Sequence, residues 1–391
     1  GKTTYLINQL NETDLSGKTT YLINQLNETD NFLLVTYTNN NVHNLRMGII
    51  KKFGYFPTNI KLLSYYSFLY GFCFKPFLND KCGTKGINYE HIQNNFSKVN
   101  ERKHYIDKTN RIYSARISKL LLKSNEQQSV TDRISKYFHH LFIDEIQDFG
   151  ANDFNLLKEI SKANVGLTYV GDFFQHTFDT SRDGNVNANL HNDFTKYQKE
   201  FEQMGLQSDP TTLSKSYRCS PTVCKFITDS LGIKIESHRE DETTVKYIDN
   251  EEEANAIFSD SAIVKLFYKE HYKFDCFSRN WGDSKGEDKY FDVCVVLNKT
   301  TLDKYQKGKT QELPATTKNK LYVALSRAKN NLYLIPHNLI KERDDTKKTA
   351  KISIEKNDKK RTKKGIDKMK TETPKRKPSC QQGCLLHNSF F

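Results

Sequence analysis

Residues 141–148 read Leu-Phe-Ile-Asp-Glu-Ile-Gln-Asp, a short apolar run that ends in paired carboxylates and a glutamine. A run of this kind reads as a strand buried on both faces of a parallel sheet, and the carboxyl ends of such strands are where ligands of open α/β sheets collect. Asp144 and Glu145 are then delivered side by side to that edge, so that one acid can hold a metal ion while its neighbour handles a water. Two adjacent acids are also an ordinary solvated strand end, and the segments around them decide between the two readings.

Upstream, Gly17-Lys18-Thr19-Thr20 has the form of the last part of a phosphate-binding loop, in which backbone amides and a lysine cradle phosphates and a threonine hydroxyl ligates magnesium. Downstream, Leu167 to Gln175 (LTYVGDFFQ) is a second apolar strand with Gly171, Asp172 and Gln175 at its polar tip. Three such tips in order point to nucleotide hydrolysis. The complete loop pattern G-x-x-x-x-G-K-[ST] requires a glycine five residues before Gly17, where this chain has Glu12. Glycine lets backbone amides approach phosphate closely and an acid repels it, so the loop as written is expected to bind ATP poorly. No strand preceding the loop is evident.

The order of these segments resembles superfamily 1 helicases of the UvrD/Rep/PcrA type. The family's GKT appears as Gly17-Lys18-Thr19, its T-x-T-N as Thr36-Tyr37-Thr38-Asn39, its DExQ as Asp144-Glu145-Ile146-Gln147 and its GDxxQ as Gly171-Asp172-Phe173-Phe174-Gln175. Ser216-Tyr217-Arg218-Cys219-Ser220 is similar to its NYRS, Ser284-Lys285-Gly286 to the start of KG-x-EFD, and Leu321 to Lys329 (LYVALSRAK) to YVALTRA. The resemblance runs from about residue 15 to about 336.

That resemblance implies an α/β chain of two RecA-like lobes, each a parallel sheet flanked by helices, with a small mostly helical insertion at about 70–135. It implies ATP and Mg2+ as cofactors and single-stranded or partly duplex DNA as partner. Gly17, Lys18, Thr19 and Thr20 would bind phosphates, Thr19 and Asp144 the metal, Glu145 the attacking water and Gln175 the γ-phosphate. Arg218 and Arg327 would come from the second lobe, where a planar, permanently charged guanidinium suits a phosphoryl group. Glu287 is the nearest candidate for an acid meeting the ribose. Thr36, Asn39, Tyr65 and Phe178 fall where the family meets DNA, although aromatics spaced like Tyr65 are more often core. Thr180 stands about where the family has a base-stacking Trp, and the single tryptophan, Trp281, is far along the chain. The implied direction of movement is 3′ to 5′, which no residue here establishes.

Between Arg218 and Lys285 lie 66 residues, where large family members insert a whole domain, so the chain reads as a compact motor. Its 391 residues suffice for two cores. The formal charge is +13, but residues 341–378 hold 16 basic and 7 acidic side chains, a net +9, and the remainder carries only +4. The case for nucleic acid in the globular part therefore rests on motifs, not bulk charge. The tail is expected to stay solvated and disordered, with basic runs that suit phosphate or a nuclear address. Eight scattered cysteines without a secretory leader read as reduced thiols; Cys380 and Cys384 lack further ligands at zinc spacing. No run of 18 apolar residues suggests a membrane span, and the expected location is cytoplasmic, with a monomer as the default.

Residues 1–14 recur unchanged at 17–30, which reads as a recent duplication, a gene-model error or a truncated start and not as a solenoid repeat. Only the second copy leads directly into an apolar strand at 32–38, which favours Lys18 over Lys2. The expected domains are 1–14 (duplicated segment), 15–207 (first lobe), 208–340 (second lobe) and 341–391 (basic tail). Two alternatives stand beside a DNA-dependent motor: a nucleic-acid-binding remnant without ATPase activity, and a signalling or defence ATPase that does not unwind.

Overall fold

The computed structural model describes residues 5–8 and 17–340, apart from 91, 93–96, 179, 181, 182, 184, 210 and 211. Expectations for Lys2, Glu12, Cys380, Cys384 and the basic tail lie outside those residues. The described chain is α/β, built on two all-parallel sheets.

The first sheet takes β1 (Tyr5–Asn8), β2 (Phe32–Thr36), β3 (Ile60–Ser64), β6 (His140–Ile143), β7 (Gly166–Gly171) and β8 (Gln207–Asp209) in the order β3-β2-β6-β7-β1-β8. A separate parallel pair, β4 (Gly86–Asn88) and β5 (Arg111–Tyr113), lies between β3 and β6 in sequence. The second half adds the short pair β9 (Lys215–Ser216) and β10 (Glu236–Ser237). Its main sheet holds β11 (Val245–Tyr247), β12 (Val264–Phe267), β13 (Ser278–Asn280), β14 (Val293–Leu297) and β15 (Leu332–Pro336) in the order β11-β15-β14-β12-β13. Every residue of β2, β12 and β14 is buried, as strands covered by helices on both faces must be.

The helices of the first half are α1 (Gly17–Asn24), α2 (Asn39–Phe53), α3 (Lys75–Cys82), α4 (Arg102–Tyr105), α5 (Ile117–Lys123), α6 (Gln127–Tyr137), α7 (Ala151–Ile160) and α8 (Phe194–Gln203), with a π-helical stretch at Ser67–Phe74 running into α3. Those of the second are α9 (Pro221–Leu231), α10 (Glu251–Ser259), α11 (Lys299–Gln306) and α12 (Ala315–Leu325). Their ends are chemically specified. The Thr38 hydroxyl caps α2 by accepting from the Asn41 amide, and Gly54 closes it at φ 81°, a left-handed turn that glycine adopts without strain. Ser220 likewise caps α9, which carries Pro221 in its first turn.

One core packs Leu22, Ile23 and Leu26 of the α1 region against Phe32, Leu34, Ile49, Phe142 and Val170. A larger one fills the other face of the first sheet around Phe68, Phe74, Phe154, Tyr169 and Phe201. Trp281 belongs to the core of the second half, fully buried, with its indole N–H donating to the Leu266 carbonyl at 2.9 Å.

Tyr5–Asn8 is the strand that inspection of the sequence did not find. It lies parallel between β7 and β8, with Asn8 opposite Gly171, and leads toward α1 as the strand before a phosphate loop does. The identical tetrapeptide in the second copy, residues 21–24, is helical. Context decides between the two, since a four-residue segment has too little intrinsic preference to override its partners. Removing residues 1–14 takes the strand between β7 and β8, opens the edge of β7 and leaves β8 without its strand partner among the described residues. We expect the shortened chain to be insoluble or to melt well below the full chain; equal melting temperatures in a thermal denaturation series would show that β1 contributes nothing.

Candidate active site

All strands of the first sheet are parallel, so their carboxyl ends form one edge, and the polar tips gather there. β6 ends at Ile143 and presents Asp144, β7 ends at Gly171 and presents Asp172, and α1 begins at Gly17. Lys18 is buried, and its ammonium lies 3.1 Å from Glu145 Oε2. The Thr36 hydroxyl donates to Asp144 Oδ2 at 3.2 Å, while Asp144 Oδ1 accepts the Glu145 amide at 3.0 Å. Glu145 adopts φ 56°, ψ 43°, a left-handed conformation that costs a non-glycine residue about 1 kcal/mol or more. Strain of this kind persists where the surrounding structure enforces it, and here it aims the carboxylate at Lys18.

Gln147 joins the two acidic strands. Its amide N–H donates to Glu145, and its carbonyl accepts the Asp172 N–H at 2.9 Å. The approach is close enough that a Cβ at position 171 would strike the Gln147 side chain and lie 2.6 Å from Ile146 Cγ2, which accounts for Gly171. Gln175 donates to Asp172 Oδ2 at 2.9 Å. Thr19 and Gly17 are buried at the start of α1, and Thr20 is half-buried.

The second half completes the site. From α12, the Tyr322 hydroxyl donates to Asp172 Oδ2 at 3.0 Å, and the Asn319 amide donates to the His176 carbonyl at 3.2 Å. Arg218 follows β9; its guanidinium donates to the Ser326 carbonyl at 3.1 Å and pairs with Asp288. Its Nε is buried with no hydrogen-bond partner among the described residues. Arg327, just after α12, donates to the Val323 and Glu287 carbonyls at 3.1 and 3.4 Å. Lys285, after β13, reaches Asp148 Oδ1 at 2.6 Å and Glu145 Oε2 at 3.6 Å.

Electrostatics follow from burial and these pairings. Burial pushes Asp144 up to about 7, reinforced by Glu145 and opposed by Lys18. Burial acts on Glu145 in the same direction, but Lys18 and Lys285 outweigh it and hold that carboxyl down at about 2. Burial raises Asp148 to about 6 against the pull of Lys285, and raises Asp172. Lys18 is raised, because Glu145, Asp144 and Asp172 together overcome its desolvation. Burial lowers Arg327, against the attraction of Cys219, Tyr322, Glu145 and Asp172.

Beside these groups runs a cleft of about 490 Å³, lined from the first half by Thr38, Asn40, Asn41, Glu145, Asp148, Thr177 and Phe178. Its other wall is Tyr268, Lys269, Asn280, Gly282, Asp283, Lys285, Gly286, Glu287 and Lys320. Strand ends contribute to this second wall: Tyr268 and Lys269 follow β12, and Asn280 closes β13.

The structure therefore brings together Lys18, Asp144, Glu145, Asp172 and Gln175, with Arg327 in their electrostatic reach and Arg218 beside Arg327. Glu287 lines the cleft but is turned toward Arg279, at 3.5 Å, and Tyr290. Asn39 is exposed at the start of α2, and Phe178 faces the cleft. Thr36 and Tyr65, expected beside nucleic acid, are instead interior: Thr36 is occupied by Asp144, and Tyr65 is 2 % exposed and packs edge-on against Phe149. Thr180 is buried and hydrogen-bonded to the Asp148 carbonyl through its amide. Gln147, Asp148, Lys285 and Tyr322 are the members sequence reasoning missed. All four fall inside or next to the quoted motifs, which was the available signal.

Among the described residues no group of three or more His, Cys, Asp or Glu side chains could hold a metal by itself. The donor set still suits magnesium, which takes hard oxygen ligands and is usually held by one or two carboxylates plus substrate phosphates. Asp144, a carboxyl pushed up by burial and by the neighbouring Glu145, fits that description.

An aspartate that keeps its proton to about pH 7 when folded, and loses it near 3.8 when unfolded, makes the folded chain the better proton binder in between. Its contribution to stability is thus lost as pH rises through that window. Glu145 acts oppositely, but only between about 2 and 4.5. Asp144→Asn should flatten the fall in melting temperature between about pH 4.5 and 7, by a few degrees. An unchanged slope in buffered thermal melts would contradict the burial argument.

Residues 84–180 match the family model described as the UvrD/REP helicase N-terminal domain. No curated protein matches the chain. Among solved structures, the arterivirus nonstructural protein 10 (helicase) in complex with DNA is similar at 14% identity, over 85% of this chain and 60% of that one, with a TM-score of 0.45. The arterivirus nonstructural protein 10 (helicase) crystal structure gives 13% identity, 85% and 59% coverage and a TM-score of 0.42. This chain spans about 60% of the length of those structures. No helix among the described residues is long and apolar enough to cross a membrane. The matched segment holds both the Asp144-Glu145 strand end and the Gly171-Asp172 tip, so this part of the chain is similar to the UvrD/REP helicase N-terminal domain.

Proposed function

We propose that this protein is an ATP-dependent motor on single-stranded DNA, a translocase or helicase in which hydrolysis occurs between lobes at about 15–207 and 208–340. One observation carries the reading. A lysine at a helix start and three strand-end acids share one buried locus, with Arg327 from the second half in their electrostatic reach and the buried Arg218 beside Arg327.

In this mechanism Lys18 leaves Glu145 for the phosphates of ATP, assisted by the amides around Gly17 and Thr20. Asp144 and Thr19 are the residues that would hold magnesium, which supplies charge neutralisation at the phosphate oxygens. Glu145, ionised and held at about 2 by its cationic neighbours, orients the attacking water through its lone pairs. Once Lys18 moves, that restraint weakens and Glu145 becomes a stronger base. Gln175 and Tyr322 share Asp172, so a change at the γ-phosphate felt by Gln175 is passed to α12. Arg218 and Arg327 stabilise charge developing on the transferred phosphoryl group, an effect worth on the order of 1,000-fold or more for well-placed arginines. Glu287 is the acid nearest the ribose in this assignment. Asn39 and Phe178 remain the DNA-facing residues, with Phe178 positioned in the cleft for stacking on a base.

Glu145→Gln should lower DNA-stimulated ATP turnover by about 100-fold or more while nucleotide binding persists. A purified variant with wild-type turnover would refute the assignment. If the wild-type chain itself binds DNA without hydrolysing ATP, the remnant reading replaces the motor. Hydrolysis without strand displacement would instead favour an ATPase that does not unwind.

A further inference from the structure

We infer that Lys285 is the sensor through which a nucleic-acid backbone phosphate in the cleft acts on the hydrolytic carboxylates, by drawing the ammonium away from Asp148 and Glu145. The inference rests on the proposed function and assigns a regulator to the same site.

Lys285 holds two positions at once. It lines the cleft, where its ammonium lies 5.6 Å from the centre of the Phe178 ring. It also ends on Asp148 Oδ1 at 2.6 Å and Glu145 Oε2 at 3.6 Å, with its side chain 11% exposed. No other lysine lining the cleft has a carboxylate partner of this kind among the described residues: Lys269 and Lys320 lie over the Tyr268 ring at 5.4 and 5.5 Å. Asp148 is 2% exposed, so the ion pair is desolvated on the acid side and open to the cleft on the other. A backbone phosphate entering there meets an ammonium already committed to two carboxylates, and must compete for it.

That competition has a chemical consequence. Lys285 is one of two lysines whose ammonium groups lie against Glu145 Oε2, Lys18 at 3.1 Å and Lys285 at 3.6 Å. Its withdrawal leaves Lys18 as the remaining cation, and Lys18 in turn is claimed by the triphosphate. Glu145 Oε2 is then clear of both ammonium groups only when both ligands are present, and its lone pairs are free to orient the attacking water, which is how occupancy of the cleft would accelerate hydrolysis. Coupling of this kind is reciprocal, so breaking the Lys285 clasp must alter affinity for the strand. A purely structural clasp between the two halves would not do so.

The test is binding of a labelled single-stranded oligonucleotide to the full chain, followed by fluorescence polarisation over a series of salt concentrations, with thermal melts confirming that each variant is folded. Asp148→Asn, which frees the ammonium, should tighten binding about threefold or more. Lys285→Ala should weaken it and reduce the salt slope by about one, as expected for loss of one phosphate contact, and Lys285→Arg should restore the slope. In the double variant, Asp148→Asn should no longer tighten anything. The sensor is overturned, with the proposed function intact, if the oligonucleotide binds but Asp148→Asn leaves its affinity unchanged or tightens it even without Lys285. It is also overturned if Asp148→Asn tightens a non-hydrolysable ATP analogue and not the oligonucleotide, which would assign Lys285 to the triphosphate. Absence of oligonucleotide binding by the wild-type chain removes both the sensor and the nucleic-acid motor.

Discussion

Four carboxyl groups, those of Asp144, Glu145, Asp148 and Asp172, are brought to adjoining strand ends of one sheet and taken almost wholly out of water. An uncompensated buried charge costs several kcal/mol, so such a cluster forms only with counter-charges supplied. Lys18 comes from the same half of the molecule. Lys285, Tyr322 and the field of Arg327 come from the other half. The acids thus bind the two halves to one another, and whatever competes for their partners alters how the halves are held. Burial, the usual cost of such a site, is what would tie hydrolysis to rearrangement under the proposed function.

The raised Asp144 and the depressed Glu145 show how two neighbouring acids divide roles. In one, burial and the neighbouring Glu145 outweigh the pull of Lys18 and the carboxyl accepts a proton readily; the other has Lys18 and Lys285 against it and stays ionised. Pairs of titratable groups driven apart by their surroundings are a recurrent mark of functional sites. The left-handed backbone at Glu145 adds a second mark, because strain concentrates where geometry is enforced by neighbours.

Much of this was legible in the sequence because apolar runs ending in polar tips can hardly be anything but buried parallel strands, and Asp144, Glu145, Asp172 and Gln175 follow from that directly. Lys285 was legible as a residue and not as a partner: its contact with Asp148 spans 137 positions, and nothing local encodes such a meeting. Thr36 sits in a polar motif beside residues that face outward, yet its hydroxyl turns inward because Asp144 needs a donor. β1 was illegible for a different reason. The same four residues form a strand in one copy and a helix in the other, so only the vacant place between β7 and β8 separates the two outcomes.

In the proposed cycle Lys18, which rests on Glu145, exchanges that carboxylate for phosphate. A crystal structure with magnesium and a non-hydrolysable ATP analogue tests it most directly. The triphosphate should lie against Lys18, with the Lys18–Glu145 pair broken and both Arg218 and Arg327 directed at the terminal phosphate. A nucleotide bound elsewhere, or one bound while the pair stays intact, would contradict it.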